Sequence, residues 1–165
     1  MNFNKIISSP IGPLYLVSST DALLSIESSP TSLFENAFNQ NDHPLLLQTE
    51  IELNEYFQGL RTKFDVKINP TGSPFQVLVW QSLLKIPFGE IKSYKQQAIT
   101  MKKPNACRAV GAANGKNPIL IIIPCHRVCG ADGKLVGFSS GINLKKKLLE
   151  LEGHTISSGK VIRHK

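Results

Sequence analysis

The sequence predicts a mixed α/β (α+β) fold in two parts: a small α/β scaffold over residues 1–72 and a largely helical part over residues 73–165. Three observations lead there. Short segments bounded by turn residues, with a single helix among them, give way after residue 72 to a succession of capped helices. Asn69-Pro70-Thr71-Gly72 is a linker by composition, and Ser73-Pro74-Phe75-Gln76 follows it at once as a helix-start signature. The charge divides at the same place. Residues 1–72 hold four Lys/Arg against eight Asp/Glu and residues 73–165 hold fifteen against four, within an overall +7. A basic second part beside an acidic first part points to a polyanionic partner for the second.

In the first part, Lys5 to Ser9, Leu14 to Ser18 and Leu23 to Glu27 are bounded by Pro10, Gly12-Pro13 and Thr20-Asp21 and read as an antiparallel meander. Leu47, Ile51 and Tyr56-Phe57 fit a helix over Leu45 to Phe57, ended by Gly59. Phe64-Asp65-Val66-Lys67-Ile68 alternates as a half-buried strand does. His43, beside Pro44, reads as a solvated loop residue. No group of chemically capable residues gathers here, so the first part reads as scaffold.

In the second part, Ser73 is an N-cap, Pro74 sits at N1 and Gln76 completes a capping box; Val77, Leu78, Trp80, Leu83 and Leu84 give the core face. Ser93-Tyr94-Lys95-Gln96 repeats the logic for a helix to about Met101. Pro104 can open a third helix, Asn105 to Asn114, with Gly115 beyond its end. Three short helices with tight turns look like a helix-turn-helix unit. The third is smooth, with Ala106, Ala109, Gly111, Ala112 and Ala113 on its surface and Arg108 projecting. Such a surface admits close approach either of another helix or of a sugar–phosphate edge, and in the second case Arg108 could wedge into a duplex. Asp132-Gly133 marks the turn of a hairpin between Val128 and Phe138, placed as a wing. Asn143 is a candidate cap for a last helix through Lys145-Lys146-Lys147 to Glu152, closed by Gly153. Glu150 and Glu152 lie at its C-terminal end, where the helix dipole disfavours carboxylates. Either both are solvated at a cost of a few tenths of a kcal/mol each, or one is held by a specific cationic or hydrogen-bonding partner, for which His126 is a candidate. The tail from Ser157 to Lys165 looks frayed.

The chemistry concentrates in Ile119-Leu120-Ile121-Ile122-Ile123-Pro124-Cys125-His126-Arg127-Val128. A buried apolar run is stopped by Pro124, which restricts Ile123 to extended backbone and leaves Cys125 where buried chain meets a turn. A thiol beside His126 and Arg127 is either a structural cysteine or one with a lowered pKa. Three cysteines, Cys107, Cys125 and Cys129, are too few and too clustered for a disulfide framework. No apolar run approaches the ~20 residues of a membrane span. The N-terminus has no basic region followed by an apolar core, so the chain is read as cytoplasmic.

The second part resembles the methylated-DNA–protein-cysteine methyltransferases, the O6-alkylguanine-DNA alkyltransferases. The matching pieces are Pro74-Phe75-Gln76, Val79-Trp80, Ile86-Pro87-Phe88-Gly89, Ser93-Tyr94, Arg108-Ala109-Val110-Gly111, Asn114, Asn117-Pro118, Ile123-Pro124-Cys125-His126-Arg127-Val128 and Glu152-Gly153. They keep the family's order and spacing across residues 73–153. The first part matches weakly, through Ser9-Pro10-Ile11-Gly12-Pro13-Leu14.

The resemblance implies a ribonuclease-H-like first domain and a winged-helix-like second domain that binds double-stranded DNA carrying alkylated bases in the minor groove, as a monomer and without a cofactor. It implies that Cys125 accepts the alkyl group of a flipped O6-alkylguanine, or of O4-alkylthymine, once and irreversibly. His126 and Glu152 would activate the thiol through a water, Tyr94 would protonate the leaving purine, Asn117 would hold the turn before the cysteine, and Arg108 would replace the flipped base. Ser93, Tyr94, Ala109, Gly111, Asn114, Lys116 and Arg127 would join Arg108 against DNA. Val128, Phe138, Ser139 and Ser140 would wall the base pocket. Phe138 stands where many members have Tyr, Ser140 where Gly is common, and Ile91 where Thr is commoner. Some members bind zinc in the first domain through Cys and His; this first part has no cysteine, so no metal is expected. Two other classes compete with this reading. A lesion sensor related to the family would lack the acceptor cysteine, and a thiol hydrolase or redox protein would leave Arg108 and the basic charge unexplained.

Overall fold

A computed structural model describes residues 1–138 and 140–162. Two compact units result. One takes Met1–Thr71 together with Pro118–Leu120, and the other takes Gly72–Asn117 and the chain from Ile121 onward.

The first unit is built on a four-stranded sheet. β1 (Asn2–Ile7), β2 (Leu14–Ser19) and β3 (Leu23–Glu27) form the expected antiparallel meander. A short helix, α1 (Ser32–Glu35), capped by the Thr31 side chain, leads to β4 (Phe38–Asn39), which pairs in parallel with β1. The strand order is β3-β2-β1-β4. α2 (Pro44–Phe57) packs on β1, β2 and β3, so Leu46, Leu53 and Tyr56 meet a sheet face carrying Leu14, Leu16, Leu23 and Ile26, all fully buried. His43 is not a solvated loop residue. It is buried, stacks on Phe3 at 4.5 Å, and its Nδ1 caps α2 by accepting from the Leu45 amide. Residues 64–68 make no regular strand. The amides of Asp65 and Val66 instead donate to the buried Glu52 carboxylate at 2.7 and 3.2 Å, and only Ile68 bridges to Leu23. The return of Pro118–Leu120 extends the sheet beyond β3: Ile26 N–H donates to Pro118 O at 3.0 Å and Leu120 N–H to Ile26 O at 3.1 Å.

The second unit opens with α3 (Pro74–Leu83), where the Ser73–Gln76 capping box forms in both directions, at 3.1 and 2.9 Å. β5 (Lys92–Ser93) runs straight into α4 (Tyr94–Thr100), whose Ser93–Gln96 box also forms. α5 spans Cys107–Gly115, starting later than residues 105–114 predict, because Pro104 and Asn105 stay in the preceding turn and Ala106 makes the N-cap without a side-chain bond. Polar pins hold the three helices together. Trp80 Nε1 donates to Ala113 O at 2.9 Å, and Gln97 Nε2 donates to Ser82 Oγ and Asn114 Oδ1, each at 3.0 Å.

The expected hairpin between Val128 and Phe138 does not form as paired strands. β6 (Val128–Cys129) pairs in parallel with β5, and the Asp132-Gly133 turn, with φ 63° and 80°, is closed by Gly130 N–H to Lys134 O at 2.8 Å. α6 (Ile142–Leu151) takes Gly141 as its N-cap, leaving Asn143 inside the first turn rather than at the cap. The tail is not frayed over its described length. β7 (Thr155–Ser157) and β8 (Lys160–Ile162) pair as a hairpin that buries Val161 against Cys129, Leu135 and Leu149.

Candidate active site

The segment before Cys125 is bent rather than extended throughout. Ile121 has φ 73°, in the left-handed region, which a β-branched residue enters only at a cost of about 1–3 kcal/mol. The chain then turns at Pro124 into a short 3₁₀ turn, Cys125–Arg127. Asn117 pins this bend: its Nδ2 donates to Ile123 O at 2.7 Å and to Cys125 Sγ at 3.2 Å. A donor aimed at the sulfur favours the thiolate over the thiol. Cys125 is 7% exposed, so the sulfur is shielded but close to the surface.

His126 is 0% exposed, and its Nε2 lies 2.6 Å from Glu152 Oε2. Glu152 ends α6, and Arg127 supplies the charge that the helix end lacks. Arg127 Nε donates to Oε1 at 2.8 Å and a terminal nitrogen to Oε2 at 3.1 Å, while the other terminal nitrogen donates to Ile86 O at 2.6 Å. Burial lowers the His126 pKa below its ordinary value and outweighs the Glu152 carboxylate, which acts the other way. Burial also raises the Glu152 carboxyl, but His126 and Arg127 together overcome it and hold the group well below the usual carboxylate range. Around pH 7 the cluster is therefore a neutral imidazole on an ionised carboxylate, with a charged guanidinium behind it. Among the described residues, His126 Nδ1 has no hydrogen-bond partner.

The β5–β6 register sets Ser93 opposite Cys129, which brings the start of α4 beside the cysteine segment. Tyr94 Oη donates to Val136 O at 3.0 Å, and burial, with the Cys129 and Cys125 sulfurs adding, pushes its pKa up to about 12. The hydroxyl keeps its proton across the neutral range.

Not every expected DNA-facing residue is on the surface. Arg108, Ala109 and Lys116 are exposed along α5, and Gly111 is half-buried, where an added Cβ would lie 3.7 Å from the Tyr94 ring. Arg127 is 6% exposed and fully engaged with Glu152 and Ile86, so it is an interior residue rather than a phosphate contact. Asn114 is buried too, and its Nδ2 returns a 2.7 Å bond to Gln97 Oε1. Ser93 spends its hydroxyl as the cap of α4. Val128 is buried, Phe138 and Ser140 are half-buried, and Ser139 lies outside the described residues.

One residue in this region escaped the sequence reading. Lys145, taken there as part of a basic run, is 1% exposed. Its Nζ donates to Val128 O at 2.5 Å and to Val136 O at 2.9 Å, and it lies 5.9 Å from both the Tyr94 and Phe138 ring centroids. Burial pushes its pKa down. The signal was available: Lys145 shares a helix face with Leu148 and Leu149, at spacings of three and four.

Comparison with known proteins agrees with this arrangement. Residues 3–70 match the 6-O-methylguanine DNA methyltransferase, ribonuclease-like domain, and residues 74–154 match the DNA binding domain of the same name. The methylated-DNA–protein-cysteine methyltransferase of Methanosarcina barkeri is 42% identical over 162 residues, covering 93% of this chain and 99% of the relative. That of Mycobacterium bovis is 45% identical over 149 residues and 90% of each chain. The crystal structure of Mycobacterium tuberculosis O6-methylguanine methyltransferase superposes with a TM-score of 0.86 at 43% identity, covering 92% of this chain and 93% of the other. The same organism's protein in complex with DNA gives 0.84 at 44%, over 91% and 92%. With both halves matched and the cysteine, histidine and glutamate assembled in one site, the chain belongs to the methylated-DNA–protein-cysteine methyltransferase family.

Proposed function

We propose that this protein repairs alkylated DNA by direct reversal, moving the alkyl group of O6-alkylguanine, and by the same displacement O4-alkylthymine, irreversibly onto Cys125. The observation that carries the reading is the Asn117–Cys125 contact set beside the buried His126–Glu152–Arg127 cluster. Displacement at a saturated carbon needs a soft, strong nucleophile, and a thiolate is the best a protein offers. His126, neutral and backed by Glu152, is suited to take the thiol proton through a water at Nδ1. The Asn117 amide favours the sulfur's negative charge. General acid–base assistance of this kind contributes about 10²–10⁴-fold.

The target oxygen is buried in duplex DNA, so the base is flipped before it reaches the thiol. Arg108, exposed on the smooth α5, fills the gap left in the stack. The Sγ–C bond forms as the C–O6 bond breaks, and the electron pair stays with the guanine. Tyr94 gives its proton to the base, and solvent carries the proton held by His126 to the resulting Tyr94 phenolate. The net change moves one proton from thiol to guanine and leaves a thioether, which has no leaving group to regenerate the thiol. The protein is consumed in one event.

The test is incubation with duplex DNA carrying one O6-methylguanine, followed by intact and peptide mass spectrometry. A gain of one CH₂ on Cys125, at most once per molecule, is the expected result. Lesion binding with no modification would instead identify a sensor.

A further inference from the structure

Val136 O is a shared acceptor. It takes the Tyr94 hydroxyl at 3.0 Å and the Lys145 ammonium at 2.9 Å. Lys145 also holds Val128 O at 2.5 Å, so one buried ammonium ties the strand that follows the cysteine turn to the loop leading to Phe138. A buried ammonium is tolerated only where its hydrogens find acceptors, and here they find backbone carbonyls. Gly137 adjoins the shared carbonyl at φ 67°, and a Cβ there would sit 2.8 Å from Tyr94 Oη. The glycine is what lets the hydroxyl reach this acceptor.

A phenol has one proton to donate. While the hydroxyl donates it to Val136 O, it is not available to a flipped base. If Tyr94 were the carbonyl's sole partner, turning it toward the base would strand a buried acceptor, which is the costly way to break a hydrogen bond. The second donor removes that obstacle. Building on the alkyl-transfer reading above, we propose that Lys145 is a positioning residue: by keeping the Val136 carbonyl satisfied, it releases the Tyr94 hydroxyl from its resting acceptor to the flipped base.

The test is a double-mutant cycle on the rate constant for methyl transfer from O6-methylguanine duplex. Lys145→Met keeps the side-chain length and removes the donors, and Tyr94→Phe removes the proton. Lys145→Met lowers the rate constant about tenfold or more with Tyr94 present, and by no more than about twofold in the Tyr94→Phe background. Alkylation of Cys125 by iodoacetamide stays near the wild-type rate in both. Equal losses in the two backgrounds, or parallel loss of iodoacetamide reactivity, would overturn the role and leave Lys145 as a structural staple. A measurement that leaves Lys145 in place guards against a variant that does not fold. In Cys125→Ser protein labelled with [ζ-¹³C]tyrosine, the Tyr94 resonance moves on binding the methylated duplex and not on binding the unmethylated one. An unmoved resonance overturns the exchange. Wild-type protein that transfers no methyl group rejects the functional reading itself, an outcome distinct from an additive cycle.

Discussion

Replacing Glu152 by Gln is the sharpest perturbation of the site. The carboxylate accepts two bonds from Arg127, at 2.8 and 3.1 Å, and lies 2.6 Å from His126 Nε2. Neither it nor Arg127 is appreciably exposed. A guanidinium does not shed its proton in a protein, so Glu152→Gln leaves a buried cation without its counter-charge. Breaking a buried pair from one side costs about 3–5 kcal/mol, against a total stability of about 5–15 kcal/mol. For a chain of this length each kcal/mol shifts Tm by about 2–4 °C, so a fall of about 6–20 °C follows. Urea unfolding at neutral pH should show the same loss in midpoint with little change in slope. Adding Arg127→Met should restore much of it, because the stranded charge is then gone. A loss under about 1 kcal/mol, the range of exposed pairs, would mean that Arg127 reaches water unaided, and the picture of an obligate buried pair would fail. Independently of stability, methyl transfer should slow by about 10²–10⁴-fold, since His126 loses the group that supports its charged form.

Other consequences can be checked one at a time. The His126 pKa lies below its ordinary 6.5 and that of Glu152 below 4.5, so at each site the unfolded chain binds more protons than the folded one as pH drops below those values. The stability these groups contribute is therefore present above pH 6.5 and is lost on acidification, first through His126 and then through Glu152. Glu27, whose pKa burial raises to about 7, works the other way over part of this range. The test is therefore made in a Glu27→Gln background, where a urea midpoint that rose between pH 6.5 and 4.5 would contradict the His126 direction. Arg108→Ala should change stability by no more than about 0.5 kcal/mol, as Arg108 is an exposed residue. It should slow transfer from duplex DNA more than reaction with free O6-methylguanine, and equal slowing would remove the wedge role. Ser73→Ala removes one arm of the α3 capping box and should cost about 0.5–2 kcal/mol by urea unfolding.

What could be read from the sequence follows the range of the interactions. Both capping boxes, at Ser73 and Ser93, were legible because donor and acceptor lie three residues apart. The His126–Glu152 pair was legible for another reason: a carboxylate at the wrong end of a helix demands a distant cation or donor. The resemblance puts Arg127 and Asn114 against DNA, yet both are interior, and their partners, Glu152 and Gln97, are brought up by packing that no local pattern encodes. The same holds for the alternating stretch 64–68, whose amides go to Glu52 on α2, and for His43, which stacks on a strand forty residues earlier in the chain. Lys145 was masked by its neighbours, Lys146 and Lys147, which are exposed as a basic run suggests.

The pairing of Ile26 with Pro118 and Leu120 bears on the order in which the protein can be made. The first unit's outer edge is supplied by residues that leave the ribosome roughly 90 positions after the strand they complete. At about 5–20 residues per second, the amide and carbonyl of Ile26 wait about 5–20 s for their partners. Through that interval the nascent meander carries an open edge, the kind of surface on which foreign strands pair. The three residues that close it belong to the run ending in Cys125. The sheet is therefore finished only as the Cys125 segment emerges, and a chain terminated at the linker near residue 72 would pair this edge at Leu23, through Lys67 and Asn69, but keep it open at Ile26 for good.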